Sequence, residues 1–413
     1  MQDLLSPPLT RRTLLAMLGV GAIPAAQSQS APSLPLVAWA AIEARARGQK
    51  VYFNAWGGSE RINAYLQWAA GELERRHGVR LEHAKLTDTV EAVKRVRNEK
   101  AAGRLADGSI DALWINGENF LTMKREGLLF GPFAEQLPNY VHVDVKGKPT
   151  TRIDFSEPVD GLEAPWGMAQ LTFFADRQRL PNPPRSMAAL LALARAHPGR
   201  VTYPRPPNFH GTTFLKQALL ELNPDAAALY KPYTADAMAK AGAPLWAWLD
   251  ALHPLLWRAG KQFPQNSAAV RQMMADGELL LALTFNPNEA ANEIAANRLP
   301  PSVYSWQFNA GPQGGAIGNT HFLAIPFNAR AKEGAQVFIN FMLSPEAQAR
   351  KADIAVWGDP TVLAVDRLPA VERARFASQA AAGQVEQAAP ALPEPHGSWV
   401  DPLEREWLRR YGQ

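Results

Sequence analysis

Apolar positions along this chain switch repeatedly between the two-residue period of a strand and the three-to-four-residue period of a helix. Val51-Tyr52-Phe53-Asn54-Ala55 reads as a strand running into the loop Trp56-Gly57-Gly58. Ser59 is placed to cap a helix on which Ile62, Tyr65, Leu66, Ala69 and Leu73 recur, and Gly78 ends it. A second strand, Val79 to Lys85, is followed by a charged helix from Asp88 to Gly103 that carries Val90, Val93 and Val96. Ile110 to Ile115 reads as a buried strand opening into Asn116-Gly117-Glu118-Asn119, and the next helix carries Phe120, Met123 and Leu128. This strand–loop–helix alternation predicts an α/β sheet with ligand loops at the carboxyl ends of its strands.

The middle of the chain reads as a second α/β unit. Pro165-Trp166-Gly167 leads into a strand over Leu171 to Ala175, and Ser186 opens a helix that ends near His197-Pro198-Gly199. Arg200 to Tyr203 reads as a short strand, and a helix starts near His210-Gly211-Thr212-Thr213. Helices are predicted at Leu245 to Ala259 and Ser267 to Asp276, then a buried strand over Glu278 to Phe285. Val303 to Phe308, a glycine-rich loop from Gly311 to Gly318 and a strand ending Ala324-Ile325-Pro326 come next. Helices over Lys332 to Leu343 and Pro345 to Ile354 and a terminal helix with Leu403, Trp407 and Tyr411 complete the pattern. The segment Ala31 to Arg47 reads as a Pro/Ala-rich lead, and no short repeat is evident.

Leu9 to Ser30 has the plan of an export signal: the pair Arg11-Arg12, an apolar run from Leu14 to Ile23, Pro24, then small residues. That run is about half of a membrane span. Thr10-Arg11-Arg12-Thr13-Leu14-Leu15 resembles a twin-arginine signal, with an ordinary Sec signal as the alternative. The expectation is an exported, periplasmic protein.

Composition narrows the chemistry. The 413 residues suit two or three domains, and no cysteine is present, which excludes a disulfide scaffold, a thiol nucleophile, a Cys-ligated metal and a lipid-modified N-terminal cysteine. The net charge of +4 is slight and dispersed, so nucleic acid is not an expected partner. Eight histidines are scattered without a metal-binding pair, no P-loop occurs, and Gly57-Gly58-Ser59-Glu60-Arg61 breaks the G-x-S-x-G pattern at its last position. No cofactor and no metal are expected.

Several blocks carry a family resemblance. Ala324-Ile325-Pro326-Phe327-Asn328-Ala329, Glu333-Gly334-Ala335 and the run Phe338 to Gln348 are similar to the late portion of type 2 bacterial extracellular solute-binding proteins, the capture subunits of ABC importers. Ile110 to Asn116 resembles the strand after their second helix, Phe53 to Ser59 their first ligand loop, and Gly211-Thr212-Thr213 their second-lobe helix start. With Trp357-Gly358-Asp359-Pro360, these look like the YnjB-type predicted importer proteins, and the resemblance spans about residues 49 to 368. It implies a two-lobed clamp with the solute in the cleft, a monomer whose partners are a small solute, a membrane permease and its ATPase. The implied division is a cleaved signal over 1–30, first lobe over 48–165, second lobe over 166–300, a return to the first over 301–345, and C-terminal helices over 346–413. Lobe crossings are expected at Pro165-Trp166-Gly167 and near Asn297 to Ser302.

The candidate ligand residues follow from loop chemistry. Asn54 and Trp56-Gly57-Gly58-Ser59 put bare N–H groups and a hydroxyl at a helix start, where partial positive charge favours an anion or a carbonyl oxygen. Asn116-Gly117-Glu118-Asn119 is a second such end with a carboxylate, and His210-Gly211-Thr212-Thr213 a third. Asn286, Asn288 and Glu289 follow a buried strand. Trp56, Trp166 and Trp357 lie in loop-like settings, and an aromatic wall with Glu118 or Asp359 suits a cationic or planar solute. Each of these also has a plain reading as a turn, a helix cap or a core residue. The competing function is a secreted carbohydrate hydrolase or lyase using paired carboxylates such as Glu118 and Asp359.

Overall fold

A computed structural model describes residues 36–377 and 381–412. The expected export signal lies outside the described residues. The strands are β1 (Lys50–Trp56), β2 (Arg80–Leu86), β3 (Ala112–Ile115), β4 (Ile153–Asp154), β5 (Glu157–Pro158), β6 (Glu163–Gln170), β7 (Thr172–Asp176), β8 (Ala282–Thr284), β9 (Val303–Trp306), β10 (Ala316–Ala324) and β11 (Ala391–Leu392). The larger sheet has the order β11-β10-β3-β1-β2, with β6 on the other edge of β10; the smaller has the order β8-β7-β9; β4 and β5 form a hairpin. β1 is parallel to β2 and β3, whereas β10 is antiparallel to both β3 and β6.

Each sheet owns a core. Val51, Phe53 and Ala55 on one face of β1 pack with Tyr65 and Leu66 of the helix Glu60–His77 and with Phe338 of the helix Lys332–Met342. That first helix starts where the pattern predicts: the Ser59 hydroxyl accepts from the Ile62 N–H, and Gly78 ends it at φ +64°. In the smaller unit, Phe173 of β7, Phe214 and Leu219 of the helix Phe209–Leu222, and Leu245 and Leu249 of the helix Ala235–Leu252 form one cluster. Leu403 and Trp407 of the terminal helix Val400–Tyr411 are buried in that same cluster.

The chain departs from its pattern in several places. Part of the expected lead is the helix Leu36–Ala46, because prolines stop at Pro35 and the Ala-rich run beyond it is a strong helix former. It buries Trp39, Ile42 and Ala46. Arg200 to Tyr203 joins no ladder; its carbonyls at Arg200 and Val201 accept instead from Leu280 and Trp257. The helix expected to reach Ala259 ends at Leu252, because Pro254 cannot donate to the preceding turn, and Arg258 and Ala259 have positive φ. β9 pairs with β7, so the return to the larger sheet falls at β10 rather than near Asn297 to Ser302.

β6 runs almost directly into β7, and β10 follows β9, so the antiparallel pair β6–β10 joins the two sheets. At the middle of this joint His321 lies opposite Gly167. A Cβ on Gly167 would overlap the Asp359 carboxylate and the His321 ring and lie 2.8 Å from Lys351 Nζ. The missing side chain makes room for a buried charge cluster: Asp359 Oδ2 is bound by Lys351 Nζ and lies 3.1 Å from His321 Nε2. Burial works to raise the Asp359 pKa, but His321 and Lys351 outweigh it and hold the carboxyl below its ordinary value. Burial lowers Lys351, and Asp359 opposes that shift. Trp166 closes the cluster from one side, with ring centroids 4.8 Å from Trp114 and 5.4 Å from Trp357.

Replacing one partner leaves the other charge buried alone. Asp359→Asn is expected to destabilise the protein by about 3–5 kcal/mol in urea unfolding, and Lys351→Met with Asp359→Leu to recover most of that loss.

Candidate functional site

The carboxyl ends of β1, β2 and β3 lie side by side, and each opens into a loop and a helix. After β1, Trp56 is 40% exposed, and a Cβ on Gly58 would overlap its indole. The Gly57 N–H donates to the Leu86 carbonyl, and its own carbonyl accepts from Asn63 Nδ2. These bonds and the Ser59 cap fix the loop against the sheet. Asn54, one turn of the pleat earlier, is 1% exposed, and neither of its side-chain polar atoms has a hydrogen-bond partner among the described residues.

After β3, Asn116 precedes the helix Gly117–Arg125 without a side-chain cap, and Gly117 has φ +64°. Its N–H donates to Asp154 Oδ2 at 2.6 Å, and Asn119 Nδ2 donates to Glu118 Oε1 at 3.1 Å. Asp154 ends β4, and the β4–β5 turn is made by Phe155 (φ 41°) and Ser156 (φ 64°). Two adjacent non-glycine residues with positive φ store strain. The turn is held by Gly397, whose N–H donates to the Phe155 carbonyl, and by the Ser156 hydroxyl donating to the Glu394 carbonyl.

The strained turn sets the Phe155 ring 4.1 Å from the Lys216 ammonium. Lys216 comes from the helix Phe209–Leu222 of the smaller unit, is 1% exposed, and pairs with Glu394 at 2.7 Å. Nearer the start of that helix, Asn208 caps the His210 N–H, the Thr212 hydroxyl donates to Glu404 Oε1 at 2.6 Å, and Thr213 Oγ1 is buried without a partner among the described residues. Gly211 is required by the approach of the Pro204 carbonyl, which a Cβ would strike.

Two corners predicted separately, Asn116 to Asn119 and His210 to Thr213, therefore meet in one charged cluster. Burial pushes Glu118 up to about 7, with Asp88 and Asp401 adding to the shift and Lys216 opposing it. Burial likewise pushes Glu404 up to about 7, with Glu118 and Asp401 adding, and the Thr212 hydroxyl and Lys216 opposing. Asp154 is held well above the carboxylate range by burial, and Glu118 and Glu394 add to it. The cluster thus has more carboxylates than its one lysine can balance. His210 is pushed down to about 4 by burial, so it is neutral near pH 7.

The remaining predicted residues lie elsewhere. Trp166 is 0% exposed and Trp357 4%, both in the joint with Asp359, so neither forms an open aromatic wall. Trp56 and Phe209 keep open aromatic faces instead, the latter 37% exposed and 5.8 Å from Lys216 Nζ. Asn286 and Asn288 donate to the Trp357 and Gly358 carbonyls, and Glu289 turns back to accept from Arg271 at 2.7 Å and from Thr284. Sequence reasoning missed Lys216, Glu394, Glu404 and Asp154. Only Lys216 carried a local signal, a lysine inside the apolar run Phe214-Leu215 to Leu219-Leu220.

A hollow of about 490 Å³ lined by Arg177, Tyr304 and Glu386 lies at the outer edge of the smaller sheet and contains none of these residues. Among the described residues no group of three or more His, Asp or Glu is arranged to hold a metal ion, and no helix is long and apolar enough to cross a membrane.

Known proteins share this fold. A family model for bacterial extracellular solute-binding proteins matches residues 68–374. Protein YnjB of Escherichia coli (strain K12) is 50% identical over 374 residues, covering 91% of this chain and 94% of that protein. Among solved structures, the periplasmic binding protein AfuA of Actinobacillus pleuropneumoniae superposes with a TM-score of 0.61 at 15% identity, over 88% of this chain and 99% of that one. A putative spermidine/putrescine ABC transporter from Listeria monocytogenes gives 0.57 at 17% identity, over 87% and 98%. At such identities the structures speak for the fold, a two-lobed α/β clamp. Family model, half-identical relative and fold agree, and the chain belongs to the bacterial extracellular solute-binding proteins.

Proposed function

We propose that this protein is the exported receptor of an ABC importer, a monomer that encloses a small organic cation between its lobes and presents it to a permease served by a separate ATPase. The observation that carries the solute class is the approach of Glu118, of the larger-sheet unit, to Glu404, on the terminal helix packed in the smaller, with Asp88 and Asp401 in electrostatic reach. Two structural neighbours are described with cargo of opposite sign, fructose-6-phosphate for AfuA and spermidine or putrescine for the Listeria protein. The surplus of carboxylates around Lys216 supports the cation. The exposed rings of Trp56 and Phe209 suit a planar or alkylated ammonium, each such contact contributing roughly 0.5–2 kcal/mol. A paired-carboxylate hydrolase has less support, because Asp359 is committed to Lys351 and His321 in the joint. Export by the twin-arginine route rests on Thr10 to Leu15.

A thermal-shift screen of polyamines, quaternary amines, aromatic amines, oxyanions, sugars and amino acids tests the solute class. A cation present at 100 times its Kd is expected to add about 2.7 kcal/mol of stability. Stabilisation by oxyanions alone would overturn the assignment. Glu118→Gln is expected to weaken the cation that scores by roughly 10- to 100-fold in calorimetric titration, the loss expected for a charge-assisted bond.

The pH dependence has a definite sign. A cation favours the ionised carboxylates, so its affinity should rise with pH through about 7 and level off above. Without solute the folded protein holds protons on Glu118 and Glu404 that the unfolded chain releases at ordinary carboxylate pH. Their contribution to stability is therefore greatest in acid and is lost as pH rises through about 7. Urea midpoints from pH 5 to 8 should show that decline, and Glu118→Gln with Glu404→Gln should flatten it. For export, exchanging Arg11-Arg12 for two lysines is expected to leave precursor in the cytoplasm on cell fractionation; unimpaired export would favour the Sec route.

A further inference from the structure

We propose that Arg61, Asn288 and Asn292 form a latch that holds the two lobes together and acts on the closing equilibrium rather than on the solute. The inference rests on the receptor reading, since a latch has meaning only in a molecule that opens. Arg61 stands on the first turn of the helix Glu60–His77, whose Ile62 and Tyr65 belong to the core of the larger sheet. Asn288 and Asn292 stand at the start and on the body of the helix Glu289–Ala295, whose Ala290 is buried with Phe174 and Val303 of the smaller sheet. Their hydrogen bonds cross from one unit to the other.

Arg61 Nη2 donates to the Asn292 carbonyl at 2.8 Å, while Nη1 donates to the Ala355 and Ile354 carbonyls at 3.0 and 3.4 Å. In the opposite direction Asn288 Nδ2 donates to the Gly358 carbonyl at 2.6 Å, and Asn292 Nδ2 to the Trp357 carbonyl. The acceptors are anchored: Trp357 is part of the larger-sheet core, and Asp359 is fixed by Lys351 and His321. Gly358 has φ +81°, and a Cβ there would lie 2.9 Å from Asn288 Cβ and 3.2 Å from Asn292 Oδ1. Only a residue without a side chain lets the surfaces approach this closely.

Arg61 Nη2 and the two asparagine amides are thus spent on main-chain carbonyls across the seam, while Arg61 Nη1 fixes the guanidinium to its own side. Losing one such bond should lower the closed-to-open ratio about fivefold. A factor on that ratio appears as the same factor in the affinity for every solute, whereas loss of a contact residue changes the order of preference among solutes.

The absence of cysteine makes the test direct. Lys94 and Lys240 are exposed on helices of the larger-sheet and smaller-sheet units, and Lys94→Cys with Lys240→Cys accepts a nitroxide pair in the full chain. Pulsed electron paramagnetic resonance then reads the distance distribution without solute and with spermidine. In this background Arg61→Ala, Asn288→Ala with Asn292→Ala, and Gly358→Ala should each raise the open fraction relative to the closed about fivefold or more. Arg61→Lys should fall between, and Arg271→Ala on the far side of Glu289 should not move it. Circular dichroism melts confirm that each variant is folded.

Two populations in the parent that no latch variant redistributes would overturn the latch and leave the receptor standing. A single distance, identical in the parent and every variant and unmoved by spermidine, would overturn the latch together with the hinge on which it depends.

Discussion

An ammonium group with no access to water must be matched by a carboxylate, and in this protein that requirement is met at the joint. Lys351 is fully buried, Asp359 neutralises it, and His321 takes the same carboxylate oxygen. The cluster fits only because Gly167 on the opposing strand has no side chain. β6 and β10 are therefore tied to the segment after the helix Pro345–Ala352 where they join the two sheets. The geometry of the cleft depends on this anchoring, since Trp357 and Gly358 immediately before Asp359 carry the carbonyls of the interlobe seam.

Two kinds of contact cross from one unit to the other, and they obey different physics. At the corner of Glu118, Glu404 and Lys216 the interaction is between charges partly withdrawn from water, so protons and counter-ions alter it strongly. Along the seam of Asn288, Asn292 and Arg61 the acceptors are neutral carbonyls and no proton is exchanged. One boundary thus responds to protons while the other keeps a constant strength over the same pH range. The strained turn at Phe155-Ser156 belongs to the first: its conformation is maintained by bonds to Gly397 and Glu394, residues that also border the charged corner.

Local order was well written in the sequence. The helix Glu60–His77 was readable from cap to stop because a capping serine, a periodic apolar face and a left-handed glycine are all local signals. The loop corners after β1 and β3 were readable for the same reason, each being a strand end followed by small or polar residues. Burial was not. Trp166 sits between Pro165 and Gly167, a context that suggests a loop, but β6 pairs with β10 across it and places the indole at the centre of the joint. Glu394 and Glu404 gave no local hint, because what makes them important is the distant Lys216 and Glu118. Lys216 stood out among its apolar neighbours, yet a lysine in an apolar run indicates only that some partner exists.

The terminal segment has a consequence for the order in which the molecule is made. Gly397 lies over the Gly117–Glu118 corner, while Leu403 and Trp407, a few residues later, are buried in the smaller unit's core. The charged corner therefore joins Glu118 and Lys216 to the much later Glu394 and Glu404. During synthesis, the helix Glu60–His77 and the parallel pair of β1 and β2 can form early, as their contacts are local. The corner cannot close until Glu394 and Glu404 have left the ribosome, long after Glu118 and Lys216. A nascent chain therefore carries Lys216 without its carboxylate partner until that later segment is made, and the charged corner is assembled after the elements that surround it.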